Sequence, residues 1–462
     1  MKSSIIPIET MSAHPAESRK RRVSRFSCHY GKVDITPEGP VWLAGFANRH
    51  EPSSGIHRRL FSACLAIKDF SDVCCIIAND LLELSVDDVA AIRDEIVRET
   101  PLTADRIFIH SIHTHAAPTL SAVQLALPEH EANRRYHDQV LKKIAANAIW
   151  TVNYLSDYRD CRLMAGQGVG HLGICRRPGA VVPTPAEDPG IPLVVIEFED
   201  VTTGQPYVTM INYACHPVVL YADNRAVSSD YVGAAREYLE TVRRDRVMFL
   251  NGAAGDIDPR PPLGHDPAVA DAAGIALGHE AAAIPLREIV ADGLTVAMAE
   301  VELPFQYPAQ TAAFLDAEVQ RKTMEKTDFT DWTEHLRHWG EYMKNKLARE
   351  GLPAGRKTRI GALKIGDVVW FFSQGEIFSG YQDLIRAEFP NRIISFSGYT
   401  NGKTGYLPDA AAFAAGGYEV EQAYVYVYEP SPIDPQACTV FAAAAKKLIS
   451  TILNLNPNYQ QE

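Results

Sequence analysis

The sequence predicts an α/β fold with a mixed β-sheet core flanked by helices. Three observations predict it. Short apolar runs with strand character alternate with segments whose apolar residues recur at helical spacing. Four of the runs end in imidazole or carboxylate residues beside small residues. Open α/β sheets gather their sites beyond the carboxyl ends of strands in this way. No internal repeat or low-complexity linker interrupts the pattern.

Composition bounds the partners. With 462 residues, 46% hydrophobic and 22% charged, the chain is long enough for a large core. A net charge of -12 excludes nucleic acid, which needs a basic face. No apolar run is long enough to span a bilayer, so stable membrane association is not expected. The eight cysteines sit mostly inside apolar runs without a Cys-x-x-Cys pair. They read as reduced core thiols of a cytoplasmic protein. Residues 1–27 read as a flexible tail, because Arg19-Lys-Arg-Arg22 is not followed by the apolar core of a signal peptide. Residues 28–456 are expected to form one domain, with 310–350 as a helical insertion. A small-molecule substrate is the expected partner, and a homo-oligomer stays open.

The elements follow in order. Gly31 to Glu38 starts the folded part, and Leu60 to Lys68 and Val73 to Asn79 read as strands. Ser85 and Asp88 resemble a helix N-cap, with Val89, Ile92 and Ile96 at helical spacing behind them. A strand through Ile107–Ile109 precedes a helix from Glu131 to Tyr154. Gly166 to Gly190 reads as a long Gly- and Pro-rich loop. Leu193 to Glu199 and Tyr207 to Asn212 form a strand pair around Thr202-Thr-Gly-Gln, and a helix starts after Ser229-Asp230. Val247 to Leu250 is a short strand, and Asp266 to Val290 an alanine-rich helix. A helical hairpin turning near Thr327-Asp-Phe-Thr fills Gln310 to Glu350. Arg359 to Ile365 and Val368 to Ser373 pair around Gly366-Asp367. Ile393 to Phe396 and the helix Thr439 to Leu453 close the chain.

The chemistry starts at Ser111-Ile-His113-Thr-His115. On an extended chain, positions i and i+2 share a face, so both imidazoles reach one point past a strand end. Neutral imidazole suits zinc and related ions. Taken alone, the pair reads equally well as two hydrogen-bonded loop histidines. Three more strand ends shift the balance: Cys215-His216-Pro217, Asp256 with Asp258, and Gly375-Glu376. Two histidines plus a carboxylate make an open hydrolytic metal site.

These stretches resemble the neutral/alkaline non-lysosomal ceramidases, over nearly the whole folded chain. Gly31-Lys-Val-Asp-Ile-Thr resembles the family's opening strand, and Gly55-Ile-His-Arg-Arg-Leu-Phe-Ser-Ala its next one. His113-Thr-His115-x-x-Pro118 resembles its Thr-His-Thr-His-Ser-Gly-Pro signature. Ala214-Cys-His216-Pro217, Ser229-Asp230 and Gly375-Glu376 match further motifs, and Tyr406 and Tyr418 stand at the family's tyrosine spacing. The resemblance implies a ceramidase-like catalytic domain with one zinc ion per chain, held by His113, His216, Glu376 and Tyr406. It places His115 at the scissile group and Tyr418 beside it. Arg176, within Ile174-Cys-Arg176-Arg-Pro178, becomes a substrate or transition-state contact.

Departures from the family matter too. Gly255-Asp-Ile-Asp258-Pro-Arg260 carries Asp258 where the family has a serine, which excludes a hydroxyl nucleophile there. Asn401-Gly-Lys-Thr-Gly405 and Ala410 to Gly417 replace a more aromatic run. The expected activity is amide (N-acyl) hydrolysis by metal-activated water, on a small polar substrate rather than ceramide. His115 or Asp258 would carry the proton. His57 and Asp256 are expected near the substrate, Asp256 orienting a ligand histidine. An esterase, lactonase or carbohydrate-directed hydrolase on the same site is the alternative, and a non-enzymatic metal-binding relative the third. Manganese or iron would suit the same donors.

Overall fold

The computed structural model describes residues 26–69, 72–126, 128–177, 188–307, 310–325 and 332–454. The tail with Arg19 to Arg22, part of the Gly166–Gly190 stretch and the turn at Thr327 to Thr330 lie outside them.

Two sheets stack face to face between outer helices. The first contains β1 (Phe26–Asp34), β2 (Phe61–Asp69), β3 (Val73–Asn79), β4 (Ile107–Ser111), β5 (Arg159–Gly170), β6 (Ile191–Asp200), β7 (Pro206–Tyr213) and β8 (Arg246–Asn251). Their order is β8-β7-β6-β5-β1-β2-β3-β4, with Arg287–Ile289 beside β5. The middle pairs are antiparallel, while β3–β4 and β7–β8 are parallel, so the sheet is mixed as expected. The second sheet runs β9 (Leu294–Pro304), β10 (Gly355–Ile365), β11 (Val368–Ser373) and β12 (Ile393–Ser397) in that order.

Period-two alternation decides what each face buries. Ile76, Phe108, Val194 and Ile196 point inward against Leu363, Trp370 and Phe372 of the second sheet. Phe108 stacks on Phe372 at 4.3 Å. Their neighbours Ile77 and Ile109 point outward under α1 (Val86–Glu99) and α2 (Glu131–Asn153). Val195, Ile211 and Phe249 do the same under α3 (Asp230–Arg243) and α4 (Pro267–Ala283). The insertion forms α5 (Ala312–Thr323) and α6 (Trp332–Glu350), which close a small core with Tyr424 and Val425. The far face of the second sheet carries α7 (Ser379–Glu388) and α8 (Ala437–Ile452). No helix among the described residues is long and apolar enough to cross a membrane.

Three expectations need correction. β5 runs as a strand to Gly170 where a loop was expected, because its glycines admit neighbours. A Cβ on Gly166 would lie 2.3 Å from the carbonyl oxygen of Pro285. α4 stops at Ala283, ahead of Pro285, and Arg287–Ile289 adds an edge strand. The expected order of elements also lacked β9, a full strand from Leu294 to Pro304.

The first sheet curls until its edge strands meet. His110 of β4 accepts the backbone N–H of Asn251 of β8 at its Nε2 (2.9 Å). Its Nδ1 faces Thr400 Oγ1 at 2.9 Å and Gly398 O at 3.1 Å. An Nε2 that accepts must be unprotonated, and burial holds the His110 pKa down to about 3. Such a depressed pKa contributes stability that is complete above about pH 6.5 and lost as pH falls toward 3. Wild type is therefore expected to lose on the order of a few kcal/mol over that window beyond what His110→Gln loses. Parallel unfolding curves as a function of pH for the two proteins would contradict this role.

Candidate metal centre

The curl brings four strand ends to one place. After β4 the backbone turns out of the strand: His113 has φ +73°, in the left-handed region. The strand-face expectation for His113 and His115 is thus replaced by a turn, and their rings still lie 5.1 Å apart. His216 follows β7, with its ring 5.0 Å from His113 and 5.7 Å from His115. One ligand atom from each histidine lies within 4.8 Å of the other two. Glu376 follows β11 in a two-residue strand, Glu376–Ile377, paired in parallel with Tyr406–Leu407. A Cβ on Gly255 would lie 2.7 Å from the Glu376 carbonyl oxygen, so glycine lets the loop after β8 approach.

The hydrogen bonds define the histidine tautomers. His113 Nδ1 lies 2.9 Å from Leu82 O, and His216 Nδ1 lies 3.1 Å from Ile257 O. A carbonyl only accepts, so both Nδ1 atoms carry a proton, and in the neutral form of each ring Nε2 is left to bind an ion. Both Nε2 atoms point at the same carboxylate oxygen, Glu376 Oε2, each at 3.2 Å. Burial pushes the Glu376 pKa up, yet His113 and His216 beside it hold the carboxyl well below its usual range. Two imidazole Nε2 atoms and one carboxylate oxygen thus converge on one point. That is the donor set of a divalent cation, and the fixed Nδ1–H groups are the usual outer support of ligating histidines.

His115 completes the cluster differently. Neither ring nitrogen has a hydrogen-bond partner among the described residues. Burial, then His113 and His216, keep its pKa well below the ordinary value, so the ring is a neutral base. Gly45, at φ +94°, lets the backbone pass its ring: a Cβ there would sit 2.3 Å from His115 Nδ1. Phe46 covers the ring at 4.9 Å.

Arg176 bridges the second half of the site. Its guanidinium donates to Asp258 Oδ1 (3.2 Å), Gly255 O (2.9 Å) and Tyr406 Oη (3.3 Å), and pairs with Glu419 at 3.1 Å. Only Nε lacks a partner, so most of the group expected to meet substrate is committed to protein. Asp258 also lies 3.7 Å from His216 Nδ1. Tyr406 and Tyr418 stand together, ring centroids 6.0 Å apart. Burial and then Glu376 raise the Tyr406 pKa well above its ordinary value, which keeps the phenol protonated.

Two expected residues are engaged elsewhere. His57 faces Ser228 Oγ (3.0 Å) with one nitrogen and Asp271 (3.1 Å) with the other. The Asp256 carboxylate accepts from the backbone N–H and hydroxyl of Ser379 at 2.7 and 2.8 Å. It therefore holds the start of α7 and does not orient a histidine. Burial lifts its pKa to about 6. Sequence reasoning missed His110, Glu419 and Tyr399. Only Tyr399 carried a signal: it follows the apolar run of β12, as the other site residues follow theirs.

Comparison with known proteins agrees with the geometry. The family model for neutral/alkaline non-lysosomal ceramidase, N-terminal, matches residues 26–259, slightly over half of the chain. A neutral ceramidase of Oryza sativa subsp. japonica is 25% identical over 229 residues, which are 46% of this chain and 28% of the rice protein. The chain thus matches less than a third of that relative's length. The crystal structure of neutral ceramidase from Pseudomonas aeruginosa superposes with a TM-score of 0.70 at 17% identity, over 94% of this chain and 75% of that one. A ceramidase complexed with C2 gives 0.69 at 16%, over 94% and 76%. At such identities the likeness concerns the fold.

Proposed function

This chain belongs to the neutral/alkaline non-lysosomal ceramidase family, and from that membership we propose that it is a zinc-dependent hydrolase cleaving the amide bond of a small, polar N-acyl compound. The observation that carries the reading is the convergence of the His113 and His216 Nε2 atoms on one oxygen of Glu376. These three residues would hold the ion, an open three-ligand set of the catalytic kind. The Tyr406 phenol, the expected fourth ligand, already accepts from Arg176 at its oxygen. A bound divalent ion supplies Lewis acidity, polarising a carbonyl and lowering the pKa of water toward about 7.

The chain's own residues do the rest. His115, neutral and with both nitrogens unpartnered among the described residues, takes a proton from water and returns it to the leaving amine. Arg176 places positive charge beside the reacting group and positions Asp258 and Tyr406. Asp258 is partly exposed and accepts from only one described group. It is placed to bind a hydroxyl or amine of a polar substrate. That same carboxylate favours the second reading, an ester-, lactone- or glycoside-directed hydrolase on the same metal site. All eight cysteines are free, in keeping with a reducing, cytoplasmic setting.

Elemental analysis of the purified protein, followed by a panel of N-acyl amides, esters and glycosides, tests this. About one zinc per chain and release of acid and amine from an amide are expected. Absence of metal after incubation with zinc would remove the reading.

A further inference from the structure

Tyr399 has no assigned role, and it stands at the centre of the site. Two residues after β12, it adopts a left-handed backbone, φ +51°. Strand ends on both sides pin it there. Its N–H donates to Gly375 O at 3.0 Å, and its carbonyl accepts from Ser111 N at 3.1 Å. The ring lies 4.3 Å from His113 at 30° and 6.3 Å from His216 at 84°, and packs on Ala214 and Ala254. The residue is 7% exposed, and its hydroxyl finds no hydrogen-bond partner among the described residues. After burial, the charges acting most strongly on that hydroxyl are Glu376 and Arg176, ahead of Asp256 and Asp258. The ring thus lies against the histidine cluster, with Glu376 and Arg176 the charged groups that its hydroxyl feels most.

A buried hydroxyl without a partner is costly and persists where something outside the protein completes it. Beside the histidine cluster the missing partner is an acceptor. The cations nearby are already paired, and His113, His216 and Glu376 fill the three-ligand set without a phenolate. We propose that Tyr399 is a catalytic residue of this chain, donating its O–H to the carbonyl oxygen of the bound acyl substrate and to the oxyanion that forms there. The inference rests on the amide-hydrolase reading above. It assigns the oxyanion contact to a phenol from the turn after β12.

Tyr399→Phe keeps the ring and its stacking and removes only the oxygen. Zinc content and unfolding temperature are expected to match wild type. On a short-chain N-acyl amide, kcat is expected to fall about 10²-fold, with KM changed by no more than about threefold. A kcat within about twofold of wild type would overturn the inference. It would leave the hydroxyl to a single water in the cavity of about 10 Å³ that Tyr399 and Glu376 help line. Loss of zinc in the variant would overturn it as well, by making the phenol a ligand. Should wild type cleave no amide, the amide-hydrolase reading fails on its own. Calorimetric affinity of the zinc-loaded protein for acetohydroxamate then decides the inference. Binding at least about tenfold weaker in the variant upholds it, and equal binding overturns it.

Discussion

Glu376→Gln is expected to leave a folded protein that no longer retains a divalent ion and hydrolyses at least about 10³-fold more slowly. Glu376 Oε2 is the one atom on which both histidine Nε2 atoms converge. A glutamine amide can meet the Nε2 atoms with its N–H or its oxygen, satisfying the site with a neutral group. Folding is therefore preserved while the charge that attracts the ion is gone. The readout needs no substrate. Excess zinc at about 100 times its Kd stabilises a binding-competent fold by about 2.7 kcal/mol, which raises its unfolding temperature by several degrees. Wild type should show that rise, and the variant none. A variant that still copurifies with one zinc per chain would show that the carboxylate is not a ligand.

The parts of this site that were legible in the sequence are those fixed by local chain chemistry. Apolar runs that end abruptly at His113, His216 and Glu376 mark strand ends, because a buried strand stops where polar side chains must reach a shared cavity. The Ser85 cap was legible for a similar reason: Ser85 and Asp88 satisfy each other's backbone N–H within four residues. What stayed hidden depends on partners far along the chain. His110 closes the sheet against Asn251, 141 residues away, and nothing within β4 distinguishes it from a core histidine. Glu419 is defined by Arg176 and Arg177, both more than 240 residues earlier. The glycines of β5 look like loop residues until the Pro285 segment is laid across them. The stop of α4 was legible and overridden: Pro285 forbids helix at the residue before it, although Ile289 and Val290 extend the apolar pattern.

Arg236→Met is expected to cost about 3–5 kcal/mol of stability, more than any exposed ion pair here could. Arg236 on α3 meets Asp80 with both guanidinium nitrogens, at 2.7 and 2.6 Å, and the Asp80 side chain is fully buried. Removing the arginine strands a carboxylate that keeps only the Phe61 N–H (2.9 Å) from this arrangement. Adding Asp80→Asn to Arg236→Met removes the stranded charge and should recover a large part of the loss. Denaturant unfolding of the two single variants and the double variant measures the coupling. A loss below about 1 kcal/mol for Arg236→Met would mean that the pair is dispensable. The consequence reaches the metal centre through the chain itself. Asp80 is followed directly by Leu81 and Leu82, whose carbonyls receive the His113 backbone N–H (3.0 Å) and Nδ1–H (2.9 Å). A shift of that segment frees the ring to rotate and its tautomer to change. Zinc affinity in Arg236→Met should therefore drop by about 10–100-fold, although the residue touches no ligand.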